Sequence, residues 1–385
     1  MSLTVTVVAL GIAQIVSWGT LFYTIAVLGP ALREATGVSE LTLHAFYSAG
    51  LFVSGIVSPA VGRAIDSQGG RRVLSAGSIF AAIACAALAV VQGPVSLLAA
   101  WLLVGFAMAL TLYDPAFATL HAIASGHYRR AVTALTLFGG FASTVFWPLS
   151  QVLLDGFGMR ATFAFYAVLH LVLCLPLHLG LVPRHAVNPV VHADPPGHAK
   201  VDTRSTFAWL AIALAIASFI ASAMSAHFIG LLTEKGMSAR DAVLIGALIG
   251  PMQVVGRLME FSTSRHVSVV LAGTIAFATM AAAQILFTQL DASFALAVVF
   301  AALYGWSNGV VTIVRGTVPA ELFGREAYGA LLGVLAKPQF IARAVAPAAL
   351  AALLLVDSER HLALTFLAIL GVLALVAYQR AIRRR

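Results

Sequence analysis

Twelve apolar stretches run through the chain, near residues 4–29, 41–61, 73–92, 96–124, 131–154, 161–182, 207–232, 241–261, 267–289, 292–318, 328–356 and 362–381. The breaks between them are short, except one. Each stretch has about the length a helix needs to cross a ~30 Å hydrocarbon core. They are apolar all round rather than alternating, so spanning helices fit and a barrel does not. The one long break, 183–206, holds Pro183, Pro189, Pro195 and Pro196 among charged residues and histidines. That composition reads as a polar linker. The predicted fold is an all-α membrane protein of twelve transmembrane helices. Residues 1–182 form one six-helix half and residues 207–385 the other, joined by the linker at 183–206.

Composition strengthens this picture. Of the 385 residues, 61% are hydrophobic and 10% charged, whereas soluble domains carry roughly a quarter charged residues. The solvent for most of the surface is lipid. The net charge of +8 does not mark a nucleic-acid binder, because the cations sit in short loops, where they set topology. On one side of the predicted membrane lie Arg63, Arg71, Arg72, Arg129, Arg130, Arg184, Lys200, Arg204, Arg257, Arg265, Arg325, Arg380, Arg383, Arg384 and Arg385. The other side holds Arg33, Arg160, Lys235, Arg240 and Arg360. Fifteen against five predicts that both termini and the linker are cytoplasmic. The first apolar stretch has no cationic leader or small-residue cleavage site and reads as a retained span. Cys85 and Cys174 lie inside apolar stretches and form no disulfide framework. His178, His185, His192 and His198 are spaced seven, seven and six apart, which is not a shared helical face, so no metal site is read there. No phosphate-cradling glycine loop appears, and no cofactor is expected.

Between the second and third stretches stands Gly62-Arg63-Ala64-Ile65-Asp66-Ser67-Gln68-Gly69-Gly70-Arg71-Arg72. It reads as a short charged loop with two glycine turns. The pattern G-x-x-x-D-x-x-G-x-R-R at this place resembles the loop signature of the major facilitator superfamily of transporters. A weaker copy follows: Gly62-Arg63-x-x-Asp66 returns as Gly256-Arg257-x-x-Glu260, and Arg129-Arg130-Ala131 as Arg325-Glu326-Ala327, 194 and 196 residues later. The near-constant offset implies two parallel repeats with a substrate site between them near the midplane. The second copy lacks the second glycine and the paired arginines. The resemblance implies that Asp66 holds one conformational state by pairing with Arg129 or Arg130. On the residues alone, Asp66 is either that gate or a solvated charge.

Ionisable groups within spans are functional by default. Asp114, followed by Pro115, lies about ten residues into the fourth span, or ~15 Å deep. It is read as a proton or substrate site, or as a structural ion pair. Lys337 lies at a matching ~14 Å in the eleventh span. Arg343 is further along, sharing a face with Gln339. Arg315 is near an end of the tenth span and either faces the cavity or snorkels to the interface. One acid against three cations leaves a positive field that an anionic substrate would balance. Gln14, Ser17 and Trp18 share a face of the first span, and Tyr304, Trp306 and Asn308 offer hydrogen bonds from the tenth. Gly305 and Gly309 are read as packing residues. His227 in the seventh span is a proton carrier or a packing histidine.

A lysine in the eleventh helix opposite a polar first helix resembles the organic-anion branch of the superfamily, which includes oxalate/formate exchangers and monocarboxylate carriers. That resemblance implies a secondary transporter, a proton symporter of a small organic anion, working by alternating access. Gln14, Trp18, Asn308, Arg315, Lys337 and Arg343 would meet substrate, and Asp114 and His227 would handle protons. Gly62, Asp66, Gly69, Arg71, Arg72, Arg129, Arg130, Arg257 and Glu260 would gate. The expected setting is a monomer in a bacterial inner membrane. Efflux of a drug-like compound is the alternative within the class. A membrane-embedded enzyme lacks its acid/base or metal constellation, and a non-transporting sensor remains a third reading.

Overall fold

The computed structural model describes residues 2–124, 128–184, 203–263, 266–290, 293–323, 328–356 and 361–383. The first half contains α1 (Leu3–Ser17), α2 (Thr24–Thr36), α3 (Glu40–Gln68), α4 (Gly70–Ala89), α5 (Pro94–Thr111), α6 (Tyr113–Ile123), α7 (Tyr128–Gly140), α8 (Ala142–Leu169) and α9 (Leu175–Leu181). The second contains α10 (Thr203–Glu234), α11 (Ala239–Thr263), α12 (Val269–Thr288), α13 (Phe294–Phe323), α14 (Tyr328–Val356) and α15 (His361–Arg383). Two π-helical turns interrupt the first half, at Trp18–Phe22 and His170–Cys174. The chain divides into two compact units, Met1–Val190 and Val191–Arg385. Most of the expected linker lies outside the described residues, and α10 already begins at Thr203.

Local chemistry sets the helix ends. Ser2, Ser39 and Ser268 accept the backbone N–H groups of Val5, Thr42 and Leu271 at 3.4, 3.1 and 3.2 Å, which caps α1, α3 and α12. The continuous apolar run Arg130–Leu181 has 52 residues, too long for a single crossing at ~1.5 Å per residue. Gly158, at φ 78°, adopts the left-handed conformation that glycine tolerates and breaks it into two spans. With that break, the runs among the described residues that are long and apolar enough to cross a membrane make twelve crossings.

The charged stretch between the second and third spans is not the loop the sequence suggested. Helix α3 runs on to Gln68, so Gly62, Arg63 and Asp66 are helical, and α4 starts at Gly70. The reversal is made by Gly69 alone, at φ 82°, whose N–H donates to the Ile65 carbonyl at 2.9 Å. Val61 and Ile65 anchor this corner against Val73, Ala109 and Leu110.

Each half repeats one packing scheme. In the first, α1 packs on α7, α3 on α5, and α4 on both α5 and α8. In the second, α10 packs on α14, α11 on α13, and α12 on both α13 and α15. Lipid tails are as apolar as leucine, so these contacts depend on close packing rather than on water exclusion. A Cβ at Gly105 of α5 would overlap the Gly50 carbonyl of α3. A Cβ at Gly305 of α13 would lie 2.6 Å from the Ile249 carbonyl of α11, and one at Gly309 would overlap that of Gln253. Gly305 and Gly309 are thus packing residues, as their spacing suggested.

Candidate functional site

In the first half the site grows out of a broken helix. The fourth span is two helices, α5 and α6, that meet at Leu112 (φ −77°, ψ −160°). Pro115 has no N–H, so the Thr111 carbonyl four residues earlier loses its helical donor. Gln14 of α1 replaces it: its Nε2 donates to Thr111 O at 2.7 Å and to Leu112 O at 3.4 Å. Its Oε1 in turn accepts Trp18 Nε1–H at 3.1 Å. Gln14 is fully buried with both ends of its amide engaged. It therefore shapes the site from behind, whereas the sequence had suggested a direct substrate contact.

The break exposes Asp114 in the first turn of α6. A helix N-terminus favours a carboxylate by roughly 0.3–1 kcal/mol, and α6 itself loses no bond to Pro115, which stands in its first turn. Beside Asp114, Tyr113 meets Trp18 at 5.0 Å between ring centroids and stacks on Phe117 at 5.2 Å. Tyr23 meets Trp147 at 5.6 Å, and Trp147 Nε1–H donates to the Tyr23 carbonyl at 3.2 Å. The aromatic wall next to Asp114 was only partly visible in the sequence. Tyr113 adjoins Asp114 there but carried no periodic signal.

In the second half a polar seam joins α10 to α14. Pro347 frees the carbonyl of Arg343 in the same way, and Ser222 Oγ donates to it at 2.7 Å. Buried Gln339 donates to Leu335 O at 2.7 Å and accepts from Ser218 at 3.5 Å. His227 is buried, with Nε2 2.9 Å from the Pro347 carbonyl, so its ring is bound into this seam. Lys337 is exposed on α14, along the stripe of exposed Val334, Ile341 and Val345 and away from the buried Leu335–Gln339 side. The half-buried guanidinium of Arg343 lies 5.8 Å from the centre of the Phe340 ring. Asn308 and Arg315 are half-buried on α13.

The expected gating residues fall on α3, α4, α7 and α11 and at the Gly69 reversal. Arg71 and Arg72 stand in the first turn of α4, the end of a helix that disfavours cations. Arg130 is exposed. The side chains of Asp66 and Arg129 lie outside the described residues, as do Arg325, Glu326 and Ala327 of the repeat and His185, His192 and His198. Arg257, expected at a solvated helix end, is instead 5% exposed, with Nη2 3.4 Å from Gln253 Oε1. Glu260 is half-buried one turn on.

One buried polar group escaped the sequence reading altogether. His170 sits in the second π-turn with Nε2 2.8 Å from Thr20 Oγ1 in the first. Eight residues on, His178 Nδ1 meets Ser78 Oγ at 2.8 Å. Two histidines eight apart in an apolar span were the available signal.

A broken span, close glycine crossings and a six-helix packing scheme repeated in both halves describe a polytopic membrane protein built from two like halves. Residues 10–282 match the family model of the Major Facilitator Superfamily, and the chain belongs to that family of secondary transporters of small molecules. No curated protein matches the sequence. Among solved structures, the nucleoside transporter NupG is similar at 14% identity and TM-score 0.73, with 100% of each chain covered. A point mutant of the same transporter is similar at 15% identity and TM-score 0.76, covering 99% of this chain and 100% of that one. A bacterial homolog of the human lysosomal transporter Spinster, inward-facing and occupied, is similar at 14% identity and TM-score 0.71, covering 100% of this chain and 96% of that one. At these identities the likeness is one of fold.

Proposed function

We propose that the protein is a proton-coupled carrier of a small organic anion such as a monocarboxylate. It works by alternating access in a bacterial inner membrane, as a monomer with both termini cytoplasmic. The observation that supports this most is Lys337. It lies about nine residues into α14, or ~14 Å along the helix, too deep for its side chain to reach the interface. Among the described residues of its own half, no carboxylate lies within ion-pair distance of it. A lysine in that position cannot face hydrocarbon cheaply, so its face of α14 borders water or substrate. Lys337 and Arg343 supply the anion's countercharge, Asn308 and Arg315 assist from α13, and Trp18 forms an apolar wall with Tyr113. Asp114, exposed at a helix N-terminus, carries the proton. His227 holds α14 through Pro347, which leaves the proton to Asp114. The gate is Asp66 with Arg129 or Arg130, supported by Gly62, Gly69, Arg71 and Arg72, with Arg257 and Glu260 as the weaker second copy.

Efflux of a flat aromatic compound is favoured by one observation, the wall of Trp18, Tyr113 and Phe117 beside Asp114. Proteoliposomes decide between the two. Saturable uptake of a labelled carboxylate, raised by an inward proton gradient, is the expected result. Extrusion of an aromatic dye with no carboxylate uptake would replace the anion reading with efflux.

A further inference from the structure

The second half carries a feature that substrate transport leaves unused. At one membrane face, where α10 begins and α15 ends, Arg380 lies with its guanidinium carbon 4.8 Å from the centre of the Trp209 ring. Arg383 follows one turn later, and both arginines are exposed, as is Arg204 at the start of α10. Neither the first two turns of α10 nor the last two of α15 contain an acidic residue. Phe323, at the end of α13, meets Phe207 of α10 at 6.1 Å, and α13 brings one exposed carboxylate, Glu321, to that end. Among the described residues, three guanidinium groups therefore stand against one acid. Among the described residues none of the three arginines has a carboxylate at ion-pair distance.

The arginines end an apolar stripe. Ile369, Val372, Leu373 and Val376 of α15 are 53, 41, 48 and 41% exposed. Their spacing of three, one and three, followed by Arg380 and Arg383, keeps all six on one helical face. Ile212, 43% exposed, continues the Trp209 side of α10 in the same way. A ligand lying here meets hydrocarbon along most of its length and cationic N–H donors at one end. A guanidinium can stack on an aromatic face and still present its in-plane N–H edge to phosphate oxygens. Indole rings favour this headgroup level.

We infer that Arg204, Trp209, Arg380 and Arg383 form a binding site for an anionic glycerophospholipid. Its phosphate is held by the guanidinium groups, and its acyl chains lie along Ile369, Val372, Leu373 and Val376. The occupant is a lipid rather than free phosphate, because the apolar stripe runs directly into the cationic end.

The test uses the full-length protein in nanodiscs of mixed phosphatidylglycerol and phosphatidylethanolamine, with the lipid retained after detergent exchange measured by native mass spectrometry. Removing two guanidinium groups close to an anionic headgroup should lower retained phosphatidylglycerol about tenfold in Arg380→Gln/Arg383→Gln. Phosphatidylethanolamine should be unchanged. Arg71→Gln/Arg72→Gln, an equal loss of charge in the other half, should retain phosphatidylglycerol as wild type does. Arg72, Arg380 and Arg383 are exposed and Arg71 is half-buried, so size-exclusion profiles should match wild type, and Trp209→Leu provides a second variant with full charge and an intermediate loss. The inference is overturned if Arg380→Gln/Arg383→Gln retains phosphatidylglycerol normally. It is also overturned if Arg71→Gln/Arg72→Gln loses as much, which would mark a general charge effect. Displacement of the lipid by millimolar inorganic phosphate would overturn the part assigned to the apolar stripe.

Discussion

Gln14 Nε2 lies 2.7 Å from the carbonyl oxygen of Thr111, 97 residues away, and supplies the hydrogen bond that Pro115 cannot. The second half solves the same problem with Ser222, whose hydroxyl donates to the Arg343 carbonyl left open by Pro347. In both halves a side chain from the first span of the six satisfies a carbonyl that a proline leaves open, at the break between α5 and α6 in the first half and inside the continuous α14 in the second. Gln14→Leu should leave the Thr111 carbonyl bare and buried and release Trp18. The expected cost is about 1–3 kcal/mol, read as a lower melting temperature in detergent, with transport lost before folding is. Gln14→Glu should behave much like Leu, because a carboxylate cannot donate. Wild-type stability in Gln14→Leu would mean the carbonyl finds another donor and the bond is incidental.

Thr20 and His170 make a second long-range bond. Thr20 Oγ1 lies 2.8 Å from His170 Nε2 and 2.8 Å from Val16 O. This bond ties one π-turn to the other, and π-turns inside α-helices are frequent at functional sites. Thr20→Val and His170→Leu should each destabilise by about 1–3 kcal/mol. Their effects should not add in the double variant, because both remove one contact. Fully additive melting shifts would show that the two residues act independently.

The spans were legible because length and composition suffice to mark a membrane helix, whatever its partners. The outcome at Gly62–Arg72 was less so. Two glycines suggest two turns, but only Gly69 takes a positive φ, and nothing local distinguishes it from Gly62. Pro115 announced a disruption near Asp114. The residue that repairs it lies in another helix, and no pattern along the chain pairs Gln14 with Thr111. His170 was overlooked for the same reason, since its partner Thr20 is 150 residues away. Arg257 appeared as a helix-end charge because its distance from the nearest loop is short, while its burial arises from the close α11–α13 crossing at Gly256, where a Cβ would lie 2.5 Å from the Trp306 carbonyl.

Asp66→Asn tests the gate. The position is helical, one turn before the Gly69 reversal, and the proposal gives its charge the task of holding one conformational state. Turnover should fall by an order of magnitude or so, the scale of one charge-assisted interaction, while substrate affinity stays near wild type. Cysteine accessibility from the two membrane faces should shift as well. Normal turnover with unaltered accessibility would reduce Asp66 to a solvated charge.

Asp114 and Lys337 test the coupling. Lys337→Ala removes the deep cation with no carboxylate partner in its own half, so affinity for the anion should fall by two orders of magnitude or more, as expected when a buried charge loses its partner. Asp114→Asn keeps the shape and the helix break but cannot titrate. It also removes an anion that competes with substrate for the same positive field, so binding should hold or tighten. Accumulation driven by a pH gradient should vanish, while exchange of labelled for unlabelled anion persists, because exchange requires no net proton movement. Both activities must be measured in the same vesicles, with the amount of folded protein fixed by size-exclusion. pH-driven accumulation retained by Asp114→Asn would exclude the proton role, and unaltered affinity in Lys337→Ala would exclude the anion site. Loss of both accumulation and exchange in Asp114→Asn, with binding intact, would instead make the carboxylate a conformational group rather than a proton carrier.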